Sequence, residues 1–361
     1  MKYDFLIVGA GCFGATAACQ LARAGHRVLV LDQRSHVGGN AYTELRDGIH
    51  VHQYGAHIFH TNSLKIWNFV NEFSGFSNYR HKVFATAQGR VFSFPINLLT
   101  MQQLWGVATP EQAAQKLAEV RQPIADPQTK EQWSLSQLGV ELYELFIRGY
   151  STKHWRKSPA ELPSSIVRRL PFRLTYQNDY FDDQYQGIPL EGYTVLFERM
   201  LDQPGITVEL GAPMMADWGR YAHRLIYSGR PDTLLNYQFG ELPYLSLRFE
   251  HERRIGDYQG TAVMNYTDEN IPYTRCLEHK HFGTRTVPHT WITHEYPVDW
   301  YRSADPYYPL VDAEVVQRFQ RYRHAISQDS RIWLGGRLGS YRYLDMHQVV
   351  GEALQLTERL K

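Results

Sequence analysis

The sequence predicts an α/β protein: a parallel-sheet domain, discontinuous along the chain, with an inserted helical bundle and an antiparallel β-sheet domain. Three observations predict it. The N-terminal "FLIVGAGCFGATAACQLARAGHRVLVLD" reads as strand, glycine turn, helix and second strand. The C-terminal "IWLGGRLGSYRYLDMHQVVGEAL" reads as a strand, a glycine-rich turn and an amphipathic helix that return to the same domain. Between them, residues 98–160 repeat apolar residues at three- and four-residue spacing, whereas 241–300 alternate apolar and polar with β-branched and aromatic residues.

At the N-terminus, Phe5–Val8 is an apolar run of the kind found in strands buried on both faces, and Gly9, Gly11 and Gly14 follow it in GxGxxG spacing. Gly9 permits the tight turn, Gly11 lets the backbone approach a pyrophosphate, and Gly14 lets helix and strand pack closely. Gly25 stops the helix, and the strand Val28–Leu31 delivers Asp32 to an adenosine ribose. A second glycine pair, Gly38-Gly39, closely follows that carboxylate. Two backbone approaches to one pyrophosphate suit FAD lying extended across the sheet, so the domain is expected to be FAD-binding and Rossmann-like, of the glutathione-reductase type. The expected cofactor stretch is Gly9, Gly11, Cys12, Phe13 and Gly14, then Asp32, Gln33 and Arg34, then Gly38, Gly39 and Asn40. No second GxGxxG follows a strand, so no separate NAD(P) domain is expected.

The expected boundaries are 1–77 with 190–240 and 320–361 for the FAD-binding domain, 98–165 for the helical insertion, and 78–97 with 166–189 and 241–319 for the sheet domain. A length of 361 residues supports more than one domain. The net charge of +1 gives no electrostatic case for nucleic acid or an anionic membrane. Aromatics reach 14%, with 24 tyrosines, whose apolar ring and polar tip suit nucleotide and sugar sites. The three cysteines, Cys12, Cys19 and Cys276, lack metal spacing and are odd in number, so they read as inert thiols in a reducing cytoplasm. The N-terminus has a signal-like look, but Asp4 and the early glycines interrupt it, and no apolar run approaches the ~20 residues of a membrane span. HExxH, GxSxG and Walker A patterns are absent, and the pair Asp182-Asp183 reads as a solvated loop.

The segments "GAGCFGA", "RSHVGGNAYTE", "YGAHIFHT", "GYSTKHW", "RRLPFR", "YQNDYFDDQYQGIP", "YTRCLEHKHF", "PYYPL" and "GGRLGSYRYLDMHQV" occur in one order along the chain. In them the chain resembles prokaryotic UDP-galactopyranose mutases from end to end. The resemblance implies FAD, required in reduced form, a three-part architecture and a homodimer. It also implies redox-neutral interconversion of UDP-galactopyranose and UDP-galactofuranose, with flavin N5 as nucleophile at the anomeric carbon and UDP as leaving group. The product would supply galactofuranose to cell-surface polysaccharide.

That chemistry needs a diphosphate clamp, which arginine's planar fork suits. By the resemblance, Arg169 and Arg275 are the essential diphosphate arginines and Arg337 lies near flavin and sugar, while Arg168 and Arg173 are solvated neighbours. Tyr180, Tyr308 and Tyr343 match phosphate-contacting tyrosines. Phe146 and Tyr150, four apart and so on one helix face, match the uridine-stacking pair, with Asn265 a polar contact nearby. Trp155 falls on a mobile loop that closes over the nucleotide sugar, with Ser151 to His154 in water when it is open. His57 and His60 match histidines beside the isoalloxazine, His60 being a catalytic candidate. Gly336, Arg337, Tyr343, Asp345 and Met346 complete the cofactor contacts.

Two positions depart from the pattern: Leu245 stands where relatives often carry arginine, and Asp32 stands where glutamate is more frequent. Arg248, three residues on, points to the other strand face. The competing readings are an amine-oxidase-like flavin oxidoreductase, which needs no diphosphate clamp, and a non-catalytic relative that has lost its cofactor, which needs no intact glycine turn.

Overall fold

The structure is a computed structural model and describes residues 2–164, 172–283, 286–302 and 304–361. The chain forms two compact units: Met1–Asn78 with Asp183–Ser246 and Trp300–Lys361, and Tyr79–Asp182 with Leu247–Asp299. The sequence expectation divided the second body into a helical and a sheet domain. The structure gathers both into one unit, and the C-terminal segment joins the first unit from residue 300 rather than 320.

The first unit is built on a five-stranded sheet in the order Ile332–Leu334, Ala222–Tyr227, Tyr3–Val8, Val28–Asp32, Ile206–Leu210, every pair parallel. Val28–Asp32 is buried along its whole length, as a parallel strand packed on both faces should be. One face carries Leu6, Leu29, Leu31, Trp218 and Leu225. The helix Cys12–Arg23 is rich in buried alanine and packs against the helices Tyr193–Leu201 and Met346–Glu358. Its small side chains allow close approach. Two short ribbons belong to the same unit, Thr43–Arg46 with Ile49–His52 and Phe59–Thr61 with Tyr185–Gly187; the second sets His60 opposite Gln186.

In the second unit the strands His289–Val298, Arg275–Glu278, Val263–Tyr266, Val83–Ala87 and Arg90–Phe94 follow one another in a sheet. Its pairs are antiparallel except Val263–Tyr266 with Val83–Ala87, which is parallel and departs from the all-antiparallel expectation. The helices Leu98–Trp105, Pro110–Val120 and Lys130–Leu142 each begin with a capping box, from Asn97, Thr109 and Thr129. The last runs into a π-helical segment, Tyr143–Arg148, and then the helix Gly149–Trp155.

Candidate functional site

The first unit's glycine turn is set by backbone geometry. Gly9 has φ +104°, a left-handed conformation that side chains resist, and its amide donates to Leu31 O at 2.7 Å. A Cβ on Gly14 would lie 1.8 Å from Gly9 O, so helix and turn meet only through glycine. Gly11 differs. Its φ is −81°, and a Cβ there would meet nothing nearer than Gly39 Cα at 3.6 Å. Protein packing leaves room for a methyl group there, and that open space gives a pyrophosphate access to the backbone. The helix Cys12–Arg23 also starts with no side-chain cap and no acidic residue in its first turn, leaving amide donors for an anion.

Around this cradle the expected residues assemble. Asp32 accepts from the Ala10 amide at 2.7 Å and the Arg34 amide at 2.9 Å. Arg34 donates to Asn40 Oδ1 at 2.9 Å, lies 3.2 Å from Asp305, and stacks over Tyr54. Gly38 donates to Ala10 O at 2.9 Å, and Gln33 faces solvent. Phe13 is wedged against Gly335 and Gly336, joining the first turn to the last one. The Cys12 thiol is pushed up to about 12 by burial, consistent with an inert group. The set fits a dinucleotide's pyrophosphate and ribose.

Arg337, Tyr308 and Tyr343 come together in the same unit. Arg337 donates to Leu344 O at 2.7 Å, and both tyrosine rings lie 5.3 Å from its guanidinium and stack on each other at 5.0 Å. Leu245 is 2% exposed and paired with Tyr308, so a buried leucine fills the position. His57 donates its amide to His52 Nδ1, and burial followed by Arg337 lowers its pKa to about 4. His52 and His154 fall to about 3, in each case mainly through burial. The unfolded chain binds these protons from pH 6.5 downward and the folded chain does not. Stability is therefore expected to fall as pH drops from 6.5 towards 4, measured by denaturant unfolding at stepped pH.

His60 carries a partner that the sequence reading missed. Its Nδ1–H donates to Asp183 Oδ2 at 2.6 Å, with both side chains largely buried, so Asp183 is not a solvated loop residue. The carboxylate is acceptor-only, so this contact places the proton on Nδ1 of His60. His347 packs edge-on against His60 at 4.8 Å, and its pKa is lowered by burial and then by His60. His60, Asp345 and His347 offer ligand atoms within 4.8 Å of one another, but Asp345 is engaged in a capping box with Gln348 at the start of Met346–Glu358. The pairing with Asp183 had one sequence signal, an acidic residue two before the strand Tyr185–Gly187, and nothing in the sequence linked that strand to His60.

In the second unit Arg275 Nη2 donates to Tyr150 Oη at 2.9 Å, and its Nε lies 3.6 Å from Glu295 Oε1. Glu295 is 2% exposed, and burial raises its pKa while Arg275 opposes the rise. Arg275 pairs in register with Asn265, whose buried Oδ1 has no hydrogen-bond partner among the described residues. A buried acceptor without a partner, opposite an arginine in the ladder, is satisfied by a water or by a donor brought by a ligand. Glu295 is a second residue the sequence reading missed; only its alternation in "THEYP" placed it inward.

Several sequence expectations differ from the structure here. Phe146 is 1% exposed, held edge-on by Phe92 at 5.1 Å, and the π-helical segment alters the four-residue face it was to share with Tyr150. Tyr150 stacks on His154, ring planes 15° apart, so one of its faces is covered. Ser151 to His154 are not a solvated run: Ser151, Lys153 and His154 are buried in the helix Gly149–Trp155, while Trp155 is half-buried against His154. Tyr180 packs on His81 and Phe181, and its amide donates to His81 O. Arg173 is not solvated either, since it holds Asp182 at 2.7 Å. Arg168 and Arg169 lie outside the described residues.

A family model described as UDP-galactopyranose mutase matches residues 145–343, and one for an NAD(P)-binding Rossmann-like domain matches residues 7–73. The chain is 40% identical to a probable UDP-galactopyranose mutase of Klebsiella pneumoniae over 98% of its own length and 94% of the relative's. The chain belongs to the UDP-galactopyranose mutase family. It is also 39% identical to a dTDP-fucopyranose mutase of Escherichia coli, over 98% of this chain and 97% of that one. A crystal structure of reduced UDP-galactopyranose mutase shares the fold at a TM-score of 0.78 and 14% identity, covering 99% of this chain and 95% of the other. As a member of this family the chain is an isomerase with FAD as cofactor. The oxidoreductase and non-catalytic alternatives do not account for these matches.

Proposed function

We propose that the protein interconverts UDP-galactopyranose and UDP-galactofuranose with the flavin reduced. The observation that carries this reading is the Arg275 subsite, where a guanidinium held by Tyr150 and Glu295 lies beside the orphaned acceptor of Asn265. Reduced FAD, when bound, supplies a nucleophilic nitrogen for the anomeric carbon and is returned unchanged, so the isomerisation consumes no electrons. The chain's own residues do the rest. In the second unit Arg275 neutralises the departing diphosphate; Arg169, Tyr180, Tyr308 and Tyr343 are the other phosphate-contacting residues that the resemblance assigns, with Arg337 near flavin and sugar. Tyr150 contacts uracil, Asn265 accepts a hydrogen bond from the nucleotide, and Trp155 borders the bound sugar nucleotide. Phe146 backs this surface from the core.

His60 works beside the flavin, with its ring turned and its tautomer set by Asp183. Asp183→Ala is expected to lower turnover roughly 10- to 100-fold with FAD content retained, as loss of an orienting partner does; steady-state assay of the yellow variant checks it. The protein is proposed to act as a homodimer in the cytoplasm, kept reduced by an external donor, with its product feeding cell-surface polysaccharide. No helix among the described residues is long and apolar enough to cross a membrane.

A second reading, dTDP-fucopyranose as substrate, is favoured by the near-equal identity to the two relatives. The two substrates differ in the ribose 2′-hydroxyl, the base methyl and the sugar 6-hydroxyl. Dithionite-reduced protein offered each nucleotide sugar separately, with furanose products resolved by chromatography, decides between them. Conversion of UDP-galactopyranose at the higher kcat/KM supports the proposal, and conversion of dTDP-fucopyranose alone overturns it.

A further inference from the structure

One buried, fully partnered polar side chain of the second unit is not used by the mutase chemistry. Lys153 is 8% exposed, and its Nζ lies 2.8 Å from Tyr266 O, 2.8 Å from Asp268 O, 3.0 Å from Ile271 O and 3.1 Å from Tyr273 O. An ammonium has three protons, so four carbonyls share them. Carbonyl oxygens converging on a charge are how a loop binds a metal cation; here the cation is a side chain.

The cage closes the loop between two strands of the substrate half-site. Asn265 and Tyr266 end one strand, and Tyr273 leads through Thr274 to Arg275 in the next. Lys153 lies three residues after Tyr150 in the helix Gly149–Trp155, on the same face. The ammonium therefore ties the residues flanking Asn265 and Arg275 to the helix that carries Tyr150. Two further contacts press that helix onto the same loop. A Cβ on Gly149 would lie 2.3 Å from Thr267 O, and Arg148 pairs with Glu269 at 2.9 Å. Burial lowers the ammonium's pKa while Asp268 and Glu269 raise it.

We propose that Lys153 is a positioning residue for nucleoside-diphosphate binding: it acts as a built-in monovalent cation that holds the loop 266–273 to the helix 149–155 and so sets Tyr150 against Arg275. Without the charge, four carbonyl dipoles converge on nothing and repel one another, the loop opens, and the 2.9 Å bond from Arg275 to Tyr150 loses its register. A small ammonium ion supplied from solution fits the vacated cage and makes the same contacts.

The inference rests on the mutase reading, and the experiment separates the two. Lys153→Ala and Lys153→Gln are purified with FAD, and binding of UDP and of dTDP is titrated against wild type by calorimetry. If wild type binds neither nucleotide, the mutase reading fails. If it binds, the Lys153→Ala dissociation constant is expected to rise at least about tenfold at unchanged FAD content. Methylammonium chloride is expected to restore binding, whereas tetramethylammonium chloride at equal ionic strength, having no N–H to donate, is not. Binding within about twofold of wild type overturns the proposal, as does weakened binding that methylammonium leaves unchanged. If both variants fail to yield yellow soluble protein, Lys153 serves folding alone and the positioning role is refuted.

Discussion

Arg275→Ala is expected to lower turnover of UDP-galactopyranose at least about 100-fold while the protein stays yellow. In the proposed reaction the guanidinium is the diphosphate clamp, its fork offering two parallel donors to phosphate oxygens that gain charge as the anomeric bond breaks. Arg275→Lys keeps the charge without the fork and is expected to recover only part of the rate. The variant carries a second consequence through Glu295. With Arg275 present, burial raises the Glu295 pKa and the guanidinium restrains it. Once the guanidinium is gone the carboxyl rises further, and the unfolded chain ionises where the folded chain resists. Stability of Arg275→Ala is therefore expected to fall as pH rises above the ordinary carboxylate range, by about 1–3 kcal/mol in denaturant unfolding near neutrality. Adding Glu295→Gln removes the stranded charge and restores stability without restoring turnover. Normal turnover in Arg275→Ala would remove Arg275 from the clamp.

Gly11→Ala is expected to weaken FAD binding by roughly 1–3 kcal/mol, about 5- to 150-fold in affinity, with fold stability within about 1 kcal/mol of wild type. The two outcomes separate because a Cβ at Gly11 has space within the protein, its nearest neighbour being 3.6 Å away. What it obstructs is the approach of a pyrophosphate to the backbone. Gly14→Ala is the contrasting case. There the Cβ would lie 1.8 Å from Gly9 O, so helix and turn must separate, and a loss of at least about 3 kcal/mol in unfolding free energy is expected with or without FAD. Fluorescence titration of the apoproteins with FAD, beside their denaturant curves, measures both. Equal FAD affinity in Gly11→Ala and wild type would detach that glycine from the cofactor.

The dinucleotide half was legible in the sequence because its signals are local. Gly9, Gly11, Gly14 and Asp32 lie within one strand–helix–strand unit, where spacing along the chain fixes spacing in space. The order Tyr308, Arg337 and Tyr343 was legible through resemblance, and the structure brings the three together. The failures share a cause, which is long-range packing. Asp183 looked like a loop carboxylate because its partner, His60, is 123 residues away. The polar run Ser151 to His154 looked solvated because a lysine in a cage of carbonyls is indistinguishable, in one dimension, from a lysine in water. Phe146 kept its four-residue spacing to Tyr150, but the π-helical segment and the rings of Phe92 and Phe94 claim it for the core.

The central claim is that this chain isomerises a nucleotide sugar with its flavin reduced and returned unchanged. The measurement that tests it most directly is conversion of UDP-galactopyranose by one protein sample assayed anaerobically before and after dithionite reduction, with products separated by chromatography. The account predicts UDP-galactofuranose from the reduced sample alone, at the equilibrium ratio reached from either direction, with no oxidised sugar formed. Equal activity of the oxidised sample, or a sugar product at a changed oxidation level, would contradict it.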